Sequence, residues 1–386
     1  MPSTRIPSID ALRGLALGAI LLANLPYPDA VVRPDGLDPA LNTLFHLFID
    51  RKFITVFSML FGFGFYILME KAETSGSDFR RYFAIRMVVL FVLACLHAYL
   101  LWFGDIIRAY AFGGLLLLFL YKRSVKSLVI LALLFNILVT GIVYIGNSAL
   151  EWQTYTYDVA IAGKLPMTTS YLEYLRFNFT IDPWINFLQD MPITLSFTFG
   201  NMLIGFLLGK MKFFQNPVAH RKMASWFVGL GLTVGLAASY VYTLIVSGKL
   251  ELSLDLAWLP FVLIAGMLLQ SLAYISLVIR LFEIRICRGF LNLFVPVGRL
   301  ALSNYVLQSL FYHAVFFHCL PGLNLFGKLN LAQTYGVGIL LFALQMALSF
   351  WWLRFFKQGP LERVWRNVVD KLTGKPQAFT TSTYKW

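Results

Sequence analysis

The sequence predicts an all-α fold, a polytopic transmembrane bundle of about ten spans with both termini in the cytoplasm. Three observations predict it. Hydrophobic residues fill 59% of the 386 positions and charged residues 13%, whereas soluble domains run about 45–50% apolar and about 25% charged. The apolar residues gather into runs close to the roughly 20 residues that a spanning helix needs. The basic residues lie between those runs, on alternate sides, rather than in one patch.

The runs fall, in order, at 10–27, 52–69, 84–103, 106–121, 126–147, 192–209, 224–246, 257–281, 298–318 and 334–356. The first follows MPSTRIPSIDALRG and contains no small-residue cleavage site, so it reads as a retained helix and not as a removed signal peptide. Before the second run, Leu41, Leu44, Phe45, Phe48 and Ile49 share one helical face, the pattern of a helix lying in the membrane interface. The run at 106–121 is the shortest. The long stretch 148–191, rich in Tyr and Trp, falls outside the membrane and reads as packed on its surface. A single transmembrane domain thus covers 1–370, with a polar cytoplasmic tail at 371–386. No internal repeat is evident. Glycines at 62, 64, 113, 114, 200, 205 and 209 read as helix-packing positions, with Gly205-x-x-x-Gly209 in the small-xxx-small pattern.

Charge supports this layout. With the N-terminus inside, the inner segments hold 24 of the 32 Lys and Arg residues but only 7 of the 19 Asp and Glu residues. That is the positive-inside bias expected of cytoplasmic loops. The net charge of +13 therefore points to topology and to anionic lipid headgroups, and argues against nucleic acid as a partner. Cys95, Cys287 and Cys319 form no CxxC and no His-paired metal spacing, which predicts neither a disulfide framework nor a zinc site. No P-loop, dinucleotide fingerprint, HExxH motif or serine nucleophile elbow occurs, so no permanently bound cofactor or metal is expected.

Polar groups at membrane depth are costly and mark candidate sites. Asp10 and Arg13 stand three residues apart at the start of the first run, on one helical face. They form either a topology anchor or a contact for a phosphate or carboxylate from the cytoplasm. Asn24 lies near the outer end of the same run, as a bond to a neighbouring helix or as a site residue. In CLHAYLLWFGDIIRAY, residues 95–110, His97 sits in the outer third of a helix and Asp105 and Arg108 follow a Phe-Gly break. Eight residues of continuous helix advance about 12 Å, too far for a His–Asp bond, but a turn at Gly104 would fold Asp105 back over His97. A carboxylate so placed orients an imidazole and raises its basicity for general base work; the alternative is a histidine bonded to a facing helix. In PVGRLALSNYVLQSLFYHAVFFH, residues 296–318, Asn304, Gln308 and Tyr312 form a polar stripe. Arg299 lies at its inner end, with His313 and His318 toward its outer end. Such a stripe lines either a helix interface or a solvated cavity.

Five segments, DALRGLALGAILLAN, KFITVFSMLFGFGF, LHAYLLWFGDIIRAY, GRLALSNYVLQS and FFKQGPLERVWR, resemble the YeiB family of bacterial inner-membrane proteins over nearly the whole chain. That family is similar in turn to transmembrane acyltransferases, including heparan-alpha-glucosaminide N-acetyltransferase and bacterial O-acetyltransferases of surface glycans. The resemblance implies a multi-pass inner-membrane location and a mechanism: a cytoplasmic acyl-CoA presents its thioester within the bundle, and a sugar or lipid acceptor arrives from outside. Arg13 matches the first-helix arginine of those relatives, in donor or structural contacts. The O-acetyltransferases carry a histidine where this chain has Asn24, so His97 takes the place of the base, with Asp105 orienting it. Asn304 and Gln308 then hold the acyl oxygen or the acceptor. This enzyme reading expects one pocket joining a basic inner mouth of Arg13, Arg86 and Arg299 to an outer mouth at His97. The other reading is a secondary transporter of a small molecule, with His97, Asp105 and Arg108 as a relay; a scaffold without turnover would need no such convergence.

Overall fold

The computed structural model describes residues 5–25, 36–102, 104–149, 170–180, 183–251, 254–316 and 322–374. Among them every regular element is a helix. In chain order these are α1 (Pro7–Asn24), α2 (Asp38–Phe48), α3 (Lys52–Ser75), α4 (Phe79–Leu100), α5 (Ile107–Leu120), α6 (Val125–Leu133) and α7 (Thr140–Ala149). There follow α8 (Tyr171–Thr180), α9 (Pro183–Lys210), α10 (Arg221–Leu230), α11 (Leu236–Val246), α12 (Leu259–Leu281) and α13 (Arg285–Leu291). The last four are α14 (Val295–Arg299), α15 (Ala301–Val315), α16 (Leu331–Phe355) and α17 (Pro360–Thr373). Wide π turns join α6 to α7 and α10 to α11 without breaking the rod.

Among the described residues each of the ten apolar runs overlaps a helix, the run at 298–318 crossing a bend between two, but fewer helices are long and apolar enough to cross a membrane. Six stretches qualify among the described residues: 38–74, 79–100, 125–143, 221–246, 259–281 and 331–355. The pair 285–299 and 301–315, bent by 83°, adds a seventh if it is one broken span. The difference has physical causes. The eighteen residues of α1 include Asp10 and Arg13, and α5 has only fourteen residues. The protein is nonetheless a multi-pass membrane protein. On α4, Val88, Val92 and Leu96 are each more than half exposed along one face, an apolar stripe that suits lipid and not water.

The amphipathic segment before the second run forms α2, and Arg51 at φ +63° turns the chain from α2 into α3. The Asp38 carboxylate accepts from the backbone N–H groups of Leu331 and Ala332 and so caps α16 across the fold. Close helix crossings depend on absent side chains. A Cβ on Gly62 would lie 1.9 Å from the Met202 carbonyl oxygen, and one on Gly205 1.8 Å from that of Met59. Gly205 and Gly209 therefore seat α9 on α3. Gly298 meets the backbone of Asp10 and Gly14 that of Phe294 in the same way, pressing α14 onto the start of α1.

The final helix returns to the bundle. The Glu362 carboxylate accepts from the backbone N–H groups of Leu302 and Ser303, at 2.8 and 3.1 Å, and from the Ser303 hydroxyl. It thereby caps α15. Trp365 donates its indole N–H to the Arg86 carbonyl while the Arg86 guanidinium stacks 3.8 Å from the Trp365 ring centroid.

Candidate active site

The helix α4 stops at Leu100 because the N–H groups of Leu101 and Trp102 both turn back to the His97 carbonyl. The chain then reverses through Gly104, where a Cβ would lie 2.8 Å from the Trp102 indole nitrogen. That reversal brings Asp105 over His97, eight residues away in sequence. The Asp105 Oδ2 lies 2.8 Å from His97 Nδ1. Its other oxygen, Oδ1, accepts from the Arg108 N–H at 2.9 Å and caps the first turn of α5. Both carboxylate oxygens are thus committed, and the Arg108 guanidinium adds a charge 3.8 Å from Oδ1.

The second imidazole nitrogen, His97 Nε2, lies 2.8 Å from the Ser309 hydroxyl of α15. The Asp105 carboxyl oxygen at that distance from Nδ1 suits an Nδ1–H donor, the tautomer that leaves the Nε2 lone pair to accept from the Ser309 O–H. The Tyr305 ring, one turn before Ser309, packs 5.1 Å from the imidazole centroid. His97, Asp105 and Arg108 are all buried, at 4%, 7% and 3% exposure. An aligned carboxylate, imidazole and hydroxyl in low dielectric can move a proton from an O–H to nitrogen and stabilise the imidazolium formed.

Above this group, α8 and α15 satisfy the carbonyls that end α4. Tyr171 and Tyr174 donate their hydroxyls to the Leu100 and Leu101 carbonyls, each at 2.7 Å. Asn178 donates to Tyr99 at 3.0 Å, and His313 Nε2 lies 2.6 Å from the Leu101 carbonyl. The described end of the 148–191 stretch therefore packs on the helix that carries His97; residues 150–169 lie outside the described residues.

The other predicted residues take two different places. Asp10, Arg13 and Arg299 come together at the opposite end of the bundle. Asp10 bonds the exposed Arg5, Arg13 Nη1 lies 3.4 Å from Asp10 Oδ1, and Arg299 lies within the electrostatic reach of both Arg5 and Asp10. Three guanidinium groups around one carboxylate leave this end cationic. Asn304 and Gln308 belong instead to an interhelical ladder. Asn304 Nδ2 donates to Ser349 at 2.9 Å and to the Val297 carbonyl at 3.0 Å. Gln308 Nε2 donates to Gln345 and to the Leu17 carbonyl, each at 3.0 Å, and Gln345 donates to the Asn304 carbonyl. The stripe lines an interface, and its amide nitrogens are engaged with α1, α14 and α16. Asn24 is half-buried at the end of α1, away from the His97 group. His318 and Cys319 lie outside the described residues.

The described cavity has a different lining from the expected pocket. A cavity of about 480 Å³ is lined almost wholly by apolar groups, among them Leu15, Gly18, Phe53, Leu277 and Phe342. None of Arg13, Arg86, Arg299 and His97 borders it. Among the described residues no three His, Cys, Asp or Glu side chains converge as a metal site would need.

Sequence reasoning missed Ser309. One signal pointed to it: Tyr305 and Ser309 repeat the i, i+4 spacing of Asn304 and Gln308 one residue later, a second polar stripe about 100° around α15. It also missed Glu362 and the Gln345/Ser349 partners, which lie far away in sequence.

Residues 208–371 match the family described as "Protein of unknown function (DUF418)". The chain is 32% identical to the uncharacterized protein YxaH of Bacillus subtilis, across 96% of this chain and 95% of that one. It is 27% identical to an uncharacterized 39.9 kDa protein in the amylase 3' region of Bacillus acidopullulyticus, across 95% and 94%. It is 26% identical to the uncharacterized protein YeiB of Escherichia coli, across 95% and 97%. No solved structure matches the chain.

Proposed function

Because the chain belongs to the YeiB-related DUF418 family of unknown function, we propose its chemistry from the site: it is a transmembrane acyltransferase of the bacterial inner membrane, with ten spans and both termini inside. It moves an acyl group from cytoplasmic acyl-CoA to a hydroxyl of an extracytoplasmic sugar or lipid. The observation that carries the reading is His97 held on both ring nitrogens, by Asp105 at 2.8 Å and by a hydroxyl at 2.8 Å. An imidazole in this tautomer takes a proton from an attacking O–H and returns it to the leaving group, while Asp105 holds the ring and balances the charge.

The cationic end supports the donor's place. Arg5, Arg13 and Arg299 around Asp10 suit the phosphates of a coenzyme, as guanidinium groups pair well with phosphate oxygens. The positive-inside bias of the sequence supports a cytoplasmic position for this end, where acyl-CoA resides. Arg86 and His97 lie eleven residues apart on α4, about 16 Å along the axis, a span for the donor's extended arm.

The test is direct. Purified protein incubated with radiolabelled acetyl-CoA and an extract of membrane lipids and glycans should hydrolyse the thioester or transfer label, and His97→Ala should not. Absence of both binding and turnover with every short acyl-CoA tried would remove this reading. The transport alternative has its own signature, accumulation of label inside proteoliposomes that collapses with the proton gradient.

A further inference from the structure

We propose that Ser309 is itself acylated, so that transfer proceeds by two displacements through an ester on α15. This rests on the acyl-transfer reading above and goes beyond it, because a base at His97 alone would serve direct attack by the acceptor. The geometry favours the serine. Its hydroxyl already occupies the Nε2 position that an acceptor hydroxyl would need, at 2.8 Å. It is 9% exposed and lies opposite the imidazole edge bonded to Asp105. A hydroxyl placed there is the first nucleophile that an arriving thioester meets. A water or sugar hydroxyl must displace it to reach the base. A serine serving only to bond the histidine could as well use a backbone carbonyl within α15, as Thr55, Ser58 and Thr198 do within their own helices.

The steps balance. Ser309 Oγ bonds to the thioester carbonyl carbon as its proton passes to His97 Nε2. The carbon–sulfur bond breaks, and the coenzyme leaves as a thiol with that proton. An acceptor hydroxyl then gives its proton to the same nitrogen and attacks the serine ester. The ester carbon–oxygen bond breaks, and Ser309 Oγ recovers the proton. Asp105 accepts the Nδ1 hydrogen bond throughout and is never protonated.

The experiment uses the full chain in detergent with a fluorescent fluorophosphonate, which labels activated serines irrespective of any acyl donor. Label should appear on the Ser309 peptide by mass mapping, vanish in Ser309→Ala, and fall about 10²-fold or more in His97→Ala. A parallel sample takes radiolabelled acetyl-CoA without acceptor and is acid-quenched. It should carry label on Ser309, and Ser309→Cys should carry a hydroxylamine-labile thioester instead, which also shows that the site tolerates substitution. An unlabelled wild-type chain, or label persisting in Ser309→Ala, overturns the proposal. So does wild-type turnover of acetyl-CoA by Ser309→Ala, which leaves the acyl-transfer reading standing with direct attack. Fluorophosphonate labelling of Ser309 without acetyl-CoA turnover has the opposite meaning: the nucleophile stands and the donor assignment falls.

Discussion

Two polar stripes run up α15 about 100° apart, and they have different chemistry. Asn304 and Gln308 face α1 and α16 and meet other amides, a serine and backbone carbonyls. No group there changes its charge near neutral pH, so the stripe can hold helices together and do little else. Ser309 faces α4 and meets an imidazole backed by a carboxylate. Both stripes are buried and both satisfy the demand that polar groups in lipid find partners. What separates the two stripes is an imidazole backed by a carboxylate, not burial.

Substitutions on each stripe test that division. His97→Ala is expected to lower acyl transfer by about 10²–10⁴-fold with helix content by circular dichroism unchanged; a loss under tenfold would place His97 with the amide stripe. Asp105→Asn should follow, with a loss of roughly 10²-fold or more. An asparagine oxygen can still cap α5, so the melting temperature in detergent should move less than the rate does. On the other stripe, Gln345→Leu should reverse the pattern. It should cost about 0.6–1.7 kcal/mol of stability, read as a lower melting temperature, with turnover within about threefold of wild type. Asn24→Ala, a change at a half-buried helix end that is not among the partners of His97, should leave turnover within about twofold. A large loss there would return the first helix to the reaction centre and blur the contrast.

Much of the architecture was legible because hydrophobic runs and basic punctuation are local signals. Among the described residues each apolar run overlaps a helix, and the glycines at 62, 205 and 209 sit at tight crossings. The His97–Asp105 contact was legible as well, from a helix end, a Gly-containing break and an acidic residue within ten positions. Span counting from the sequence was less secure where α1 carries charge and α5 is short. The partner of the imidazole was harder to read, since Ser309 lies 212 residues away and the Tyr305/Ser309 spacing shows a second polar face without saying what it meets. The fate of Asn304 and Gln308 was hidden for the same reason. A stripe shows that something polar must face it, and only the fold reveals Gln345 and Ser349 opposite.

The Glu362 carboxylate reaches the first turn of α15 from sixty residues downstream. During synthesis the segment bearing Ser309 therefore leaves the ribosome well before its own stopper exists, and its opening amides wait on water or lipid headgroups. The cap therefore arrives with the helix that carries Glu362, after the segment it caps has been made. Ribosome-stalled chains ending before Gly359 should accordingly insert into the bilayer with the first-turn amides of α15 exchanging faster than in the full chain, read by hydrogen exchange.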